Sequence, residues 1–399
     1  QSGARLISDG TLLVSTQNGS LSRFDGQTWT TYTTARCLAN TWHPYIAAAP
    51  DGTLWASGDG GVSRFDGRNW TVFTTAHGLA TNSVSTLAIA PDGSVWAAGP
   101  GSMSRFDGQT WTAYTIGHVS VAVKTIDFAP NGEVWAATYF DGVARFDGQS
   151  WTSYTTANGL PGNDIERIAI APDGTAWVGT SDQGLSHFNG QTWTTYSTTN
   201  GLGGNHVADV EFAPNGAVWV GTDGGVSRFD GQMWTTYTTA NGLPEDWVDE
   251  LAIAPDGAVW TITHSRVSRF DGHSWRSYTT ADGLSSDYVS HLTLAPDGAV
   301  WVKDGDGVSR FDGQAWRNYT AADGLANFSL YGMMIAIAPD GSVWVGSDKG
   351  VSRFNGQTWT TYTTSDGLAT NRITGFAFAP DGSVWVSMDL GVARFSGSP

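Results

Sequence analysis

An all-β fold, a single β-propeller of four-stranded antiparallel blades, is predicted by three observations. A unit of about 41 residues recurs along the whole 399-residue chain. Each copy alternates short segments rich in Thr, Val, Trp and Tyr with Asp-Gly or Asn-Gly turns, the pattern of a hairpin meander. No stretch carries the apolar period of a helix, and unbroken self-similarity is the mark of a repeat architecture.

The tryptophans give the reach of the repeat. One series, Trp55, Trp96, Trp135 and their equivalents through Trp385, follows a Pro-Asp-Gly or Pro-Asn-Gly turn; another, Trp29, Trp70, Trp111 and their equivalents through Trp359, follows Phe-Asp-Gly or Phe-Asn-Gly. Of the 20 tryptophans only Trp42 and Trp247 fall outside both series.

One copy shows the element order. Ile168-Ala169-Ile170-Ala171 reads as an inner strand a, Ala176 to Gly179 as b after the Asp173-Gly174 turn, Gly184 to Phe188 as c, and Trp193 to Tyr196 as the outer strand d. Glycine supplies the positive φ that such turns demand, and β-branched and aromatic residues suit a pleated, half-buried surface. A meander of this kind buries both faces only against neighbours, which favours a ring. Strands b and c occur ten times and d nine times. With Ala4 to Ile7 as the first a strand the expected count is ten blades, the last lacking its outer strand. Nine is the alternative, if a terminal strand completes a blade begun at the other end. With no linker in view, residues 1–399 are expected to form one domain.

Composition limits the partners. Against 20 basic residues stand 37 acidic ones, a formal charge of −17. Nucleic acid and anionic membranes are therefore poor partners. A single cysteine, Cys37, allows neither an internal disulfide nor a cysteine metal cluster. No segment approaches the roughly 18 apolar residues of a membrane span, so a soluble monomer is expected. The chain opens on Gln1 without a charged and apolar leader, as after removal of a signal peptide or in a trimmed chain.

From Thr155 to Phe188 the chain carries Gly159-Leu160, Asn163, Ile165, Asp173-Gly174, Trp177-Val178-Gly179-Thr180, Gly184-Leu185 and Phe188. This order resembles the two-component regulator propeller repeat. The resemblance covers nearly the whole chain and implies a periplasmic or extracellular ligand-sensing module, often for carbohydrate. The Pro-Asp-Gly-x-x-Trp blades also resemble those of streptogramin B lyase-type propellers. That likeness implies His and Glu chemistry with a divalent metal, for which His206, His264, His291 and Glu250 are the candidates. The Phe24-Asp25-Gly26 turn resembles the Asp-box of sialidases but is one residue short, and it reads as a structural turn.

Differences among the copies mark the site. The a–b and c–d turns barely change, whereas the b–c and d–a connections vary, and binding residues concentrate on such loops. At the opening of strand a stand Trp42, His206, Trp247, Tyr288, Tyr331 and Arg372; further in stand Asp209, Glu250 and His291. Aromatic rings there would form a stacking platform for a sugar face or a cationic group, or would pack beneath their own loops. The expected ligand is a glycan or other small polar molecule bound without catalysis. A structural or protein-interaction scaffold built by recent amplification or engineering is the alternative, with a metal-dependent lyase behind it. No cofactor is expected, although Ca²⁺ or another divalent cation is a further candidate at the acidic mouth; no run has the spacing of a dedicated calcium loop.

Overall fold

The computed structural model describes residues 53–66, 69–116, 123–263, 266–305, 307–326 and 340–366, with residues 45–49, 51, 334–338 and 371. It also describes the strands at 4–6, 12–15, 21–24, 29–32, 373–378, 384–388 and 391–395. Among these residues ten sheets follow one another in chain order, nine of four strands and the last of three. We number them sheets 1 to 10 and keep the letters a to d within each. Every sheet is a meander with strand order a-b-c-d, antiparallel throughout. Strand Ala4–Leu6 pairs with Leu12–Ser15 of its own sheet, and the three-stranded sheet takes no strand from the other end of the chain.

The chain divides into two compact units, Gln1–Val123 with Thr320–Pro399, and Lys124–Tyr319. Within the first, Ala4–Leu6 packs against Ile373–Phe378, Val384–Met388 and Tyr45–Ala48, so the two ends of the chain lie in adjoining sheets. Within the second, the a strands follow side by side: Ile165–Ile170, Val207–Phe212, Glu250–Ile253 and Val289–Leu294. Strand a of sheet 5 begins three residues earlier than its apolar alternation predicts. A bulge between Ile165 and Arg167 carries the pairing on into the connection, which a search for strict alternation passes over.

Local chemistry fixes each hairpin. In the a–b turn of sheet 3, Asp92 Oδ1 accepts the Ser94 amide at 2.9 Å while Gly93 takes φ +82°. In the c–d turns, Asp230 accepts the amides of Gln232 and Met233 at 2.9 and 2.8 Å, and Asn189 does the same for Gln191 and Thr192 at 3.0 and 2.9 Å. An amide oxygen serves as well as a carboxylate here, so the constancy of Phe-Asp-Gly is about turn geometry rather than charge.

Aromatic rings hold sheet to sheet. Trp260 of strand b is 2% exposed and stacks on Tyr278 of its own d strand at 5.6 Å. Its edges meet Phe311 and Trp316 of the next sheet at 5.2 and 5.9 Å. The same cluster recurs around Trp135 and Trp177. Each tryptophan series therefore has one job: the b-strand ring fills the space between sheets and the d-strand ring closes it from the neighbouring side. Such pairs add about 0.5–1.5 kcal/mol each beyond area burial.

Candidate functional site

The d–a connections that carry the site are braced rather than loose. Between sheets 6 and 7, Thr238 caps a short 3₁₀ turn, Thr239–Asn241, and Asn241 Oδ1 accepts the Thr238 amide at 3.0 Å. Asp246 Oδ1 then accepts the Thr239 amide across the loop at 2.7 Å. Asn163, Asn205 and Asp287 do the same in their copies. The asparagine of the repeat motif is thus a loop brace. Leu243, 3% exposed, plugs into the core between sheets 6 and 7. In the equivalent loop before sheet 6, Gly201 takes φ +117°, and a Cβ there would stand 2.8 Å from Cβ of Trp234. Only glycine lets the loop lie this close to the neighbouring ring.

Strand a leaves one edge unpaired by sheet neighbours, and its amides need acceptors. Side chains of the preceding sheet supply them. Asp209 Oδ2 accepts the Leu251 amide at 3.0 Å, and Glu250 Oε2 accepts the Leu292 amide at 3.2 Å. Asp209 also accepts from Arg167 Nη2 at 2.7 Å, while its own carboxyl is buried. His291 Nδ1 stands 3.6 Å from Glu250 Oε1. One register position in successive sheets therefore reads Arg167, Asp209, Glu250, His291, each reaching toward the next. Further along, Lys124 Nζ bridges to the Ile165 carbonyl at 3.1 Å and to Glu166 at 2.9 Å.

Arg167, Asp209, Glu250 and His291 form the floor of a cavity of about 500 Å³. Asp209, Glu250, Tyr288 and His291 from the sequence reading all line it, together with Arg167 and Asp249. Tyr288 is 53% exposed at its edge. Trp247, 43% exposed, donates Nε1–H to the lining residue Asp249 at 2.9 Å. His206 packs its ring on Trp247 at 5.1 Å, and its Nδ1 is buried with no hydrogen-bond partner among the described residues. The two aromatic rings thus stand open to solvent instead of packing beneath their loops. Trp42, Tyr331 and Arg372 lie outside the described residues, as does His264. Arg167 was missed as a site residue although it occupies the same column of the repeat as Asp209, Glu250 and His291.

No protein-family model and no curated protein matches the sequence. Solved structures do resemble the fold. The extracellular domain of a hybrid two-component system from B. thetaiotaomicron is 16% identical, with a TM-score of 0.38, over 98% of this chain and 68% of that one. The extracellular domain of a one-component system from the same organism is 18% identical, TM-score 0.40, over 98% of this chain and 64% of that one. A catalytically inactive virginiamycin B lyase from Staphylococcus aureus, solved with quinupristin, is 15% identical, TM-score 0.43, over 67% of this chain and 92% of that one. Both kinds of propeller that the blade motifs resemble are thus among the similar structures, and no residue role is carried over from them. Among the described residues no helix is long and apolar enough to cross a membrane.

The floor is poised near neutrality. Burial, reinforced by the Asp209 and Asp249 charges and opposed by the Leu292 amide and Arg167, raises Glu250 to about 7. Burial also raises Glu211, which feels Asp209 as well. His291 is lowered by burial and by the Lys303 charge. Near pH 7 Glu250 is thus divided between its two forms and His291 is neutral, so their 3.6 Å approach is not a standing ion pair. The site can donate or accept hydrogen bonds through Glu250, accept at His291 and present a cation at Arg167. Among the described residues no three His, Cys, Asp or Glu side chains converge as a metal-binding group.

A pH dependence of stability follows. Folded Glu250 holds its proton to about 7, against an ordinary value of 4.5. Between those values the folded state binds a proton that the unfolded state has lost, so stability falls as pH rises through the window. Glu250→Gln removes that slope. The melting temperature of the wild type relative to E250Q should therefore decline between pH 4.5 and 7, and parallel curves across the window would contradict the protonation assigned to Glu250.

Proposed function

We propose that this chain is a non-enzymatic, ligand-binding propeller module that takes a carbohydrate or similarly polyhydroxylated ligand at the variable ends of its sheets. The observation that carries the reading is the cavity of about 500 Å³, lined by polar and charged side chains and the exposed ring of Tyr288, with the exposed ring of Trp247 hydrogen-bonded to the lining residue Asp249. Large aromatic side chains normally bury, and an exposed ring beside hydrogen-bonding groups suits a ligand with an apolar C–H face and a hydroxyl edge. Asp249 accepts from hydroxyls, and Arg167, held by Asp209, donates to them. The braced loops hold this arrangement before a ligand arrives, which lowers the entropy cost of binding. The setting assigned in this reading is outside the cytoplasm, as for the extracellular domains among the similar structures.

A glycan array probed with the wild-type protein and with Tyr288→Ala and Trp247→Ala tests it. Binding of a defined glycan class by the wild type, weakened roughly ten-fold by either substitution, is the expected result. An array with no bound glycan, or one on which both variants match the wild type, overturns the reading. A protein-partner role has one observation in its favour, the adjoining Tyr139 and Phe140 on the b–c turn of sheet 4, 45% and 63% exposed. Tyr139→Ser with Phe140→Ser leaves glycan binding unchanged under the carbohydrate reading.

A further inference from the structure

A second cavity, of about 470 Å³, opens between sheets 6 and 7 at the end that carries the uniform a–b and c–d turns. Its walls include Asn215, Trp219, Arg228, Tyr237, Asp256 and Phe270. The repeats themselves supply the control that makes this cleft informative. In most sheets an arginine of strand c stands across from the b-strand tryptophan, Arg228 opposite Trp219 and Arg269 opposite Trp260, while sheet 5 has His187 opposite Trp177. The guanidinium lies over the tryptophan ring, 5.8 Å from the centroid for Arg228 and 5.9 Å for Arg269.

The far side of the guanidinium meets an acid of the a–b turn. Arg105 pairs with Asp92 at 3.0 Å, Arg269 with Asp256 at 3.2 Å, Arg310 with Asp297 at 3.0 Å and Arg353 with Asp340 at 3.5 Å. In sheet 4 the turn residue is Asn131, and the acid is restored two positions on, where Glu133 binds Arg145. Sheet 6 also has asparagine, Asn215, but here the residue two positions on is Ala217. Asn215 keeps the turn, its Oδ1 accepting the Ala217 amide at 3.1 Å, yet brings no charge. Among the described residues no carboxylate lies within ion-pair distance of Arg228. The nearby acids are engaged: Asp256 with Arg269 and the Ala258 amide, Asp230 with the amides of its own turn.

We propose that the cleft between sheets 6 and 7 is a second binding site, for a small organic carboxylate whose oxygens take the place beside Arg228 that a turn acid fills in sheets 3, 7, 8 and 9. A guanidinium backed by an indole and facing an open cavity offers paired N–H donors to a planar carboxylate. Phe270 and Tyr237 give the apolar body of such a ligand a wall. The protein's net negative charge weakens but does not cancel this, since at physiological ionic strength charges beyond about 8 Å are largely screened.

Saturation-transfer NMR with benzoate, and with benzamide as its neutral isostere, tests the site. Benzoate should receive saturation from the wild-type protein and benzamide should not. Arg228→Gln removes the cation. Asn215→Asp supplies the missing acid from within the turn, keeps the fold, and should leave the melting temperature no lower than that of the wild type. Each should weaken benzoate binding roughly ten-fold or more. Benzoate binding that survives either substitution, equal binding of benzamide, or no transfer from the wild-type protein overturns the proposal.

Discussion

Trp260→Ala should cost about 3–5 kcal/mol of unfolding free energy, the range for deleting a buried large aromatic side chain. The ring is 2% exposed and touches four groups at once: Tyr278 in face-to-face stacking, Phe311 and Trp316 of the next sheet edge-on, and the Arg269 guanidinium over the ring. Removing it opens a void at a sheet-to-sheet contact that no neighbouring rotamer can fill, because the surrounding rings are themselves packed. Domain stabilities are about 5–15 kcal/mol, so a substantial part of the total is at stake. Urea denaturation read by circular dichroism measures the loss. Trp247→Ala is the matched control, since the same residue type at 43% exposure should change stability by no more than about 0.5 kcal/mol. If the two variants unfold together, the aromatic stack is not what joins the sheets.

Asp209→Ala is expected to be the second most damaging change, at about 2–4 kcal/mol, and to act on fold and site together. Its buried carboxyl satisfies the Leu251 amide of the next inner strand and its own neighbour Val210, and it neutralises Arg167. Alanine leaves an edge amide without its acceptor and a guanidinium without its counter-charge. Asp209→Asn keeps one acceptor oxygen and should retain a good part of the stability while losing the ion pair. The two variants therefore separate the backbone role from the electrostatic one. A thermal melt of each, with glycan binding measured on the folded fraction, gives both readouts. An alanine variant as stable as the wild type would show that the inner-strand ladder does not hold neighbouring sheets together.

The Trp260 expectation rests on a feature of repeated sheets, that the b-strand tryptophan meets equivalent partners in several copies. Where a copy departs from the rest, the departure is either compensated or available for function. Glu133 compensates Asn131 in sheet 4; among the described residues no carboxylate compensates Asn215 in sheet 6. The floor of the first cavity follows the same logic, because Arg167, Asp209, Glu250 and His291 replace one another at a single register position.

The sequence alone determined the four-stranded antiparallel sheets and their turns, and left nine or ten as their number. Asp-Gly turns, strict alternation and the two tryptophan series are local signals, and each is satisfied within one repeat or between adjacent ones. It also placed the variable residues on the d–a connections, and Asp209, Glu250, Tyr288 and His291 do share one cavity. Only the tertiary structure decided which side chains meet. That Asp209 serves an amide of the next sheet, that Trp247 is tied to Asp249 while its ring stays open, and that Arg228 lines a cleft with no carboxylate within ion-pair distance among the described residues all depend on side-chain distances. The repeat pattern fixes what each sheet is made of. Contacts between residues about 42 positions apart depend on how neighbouring sheets pack, which no local signal encodes.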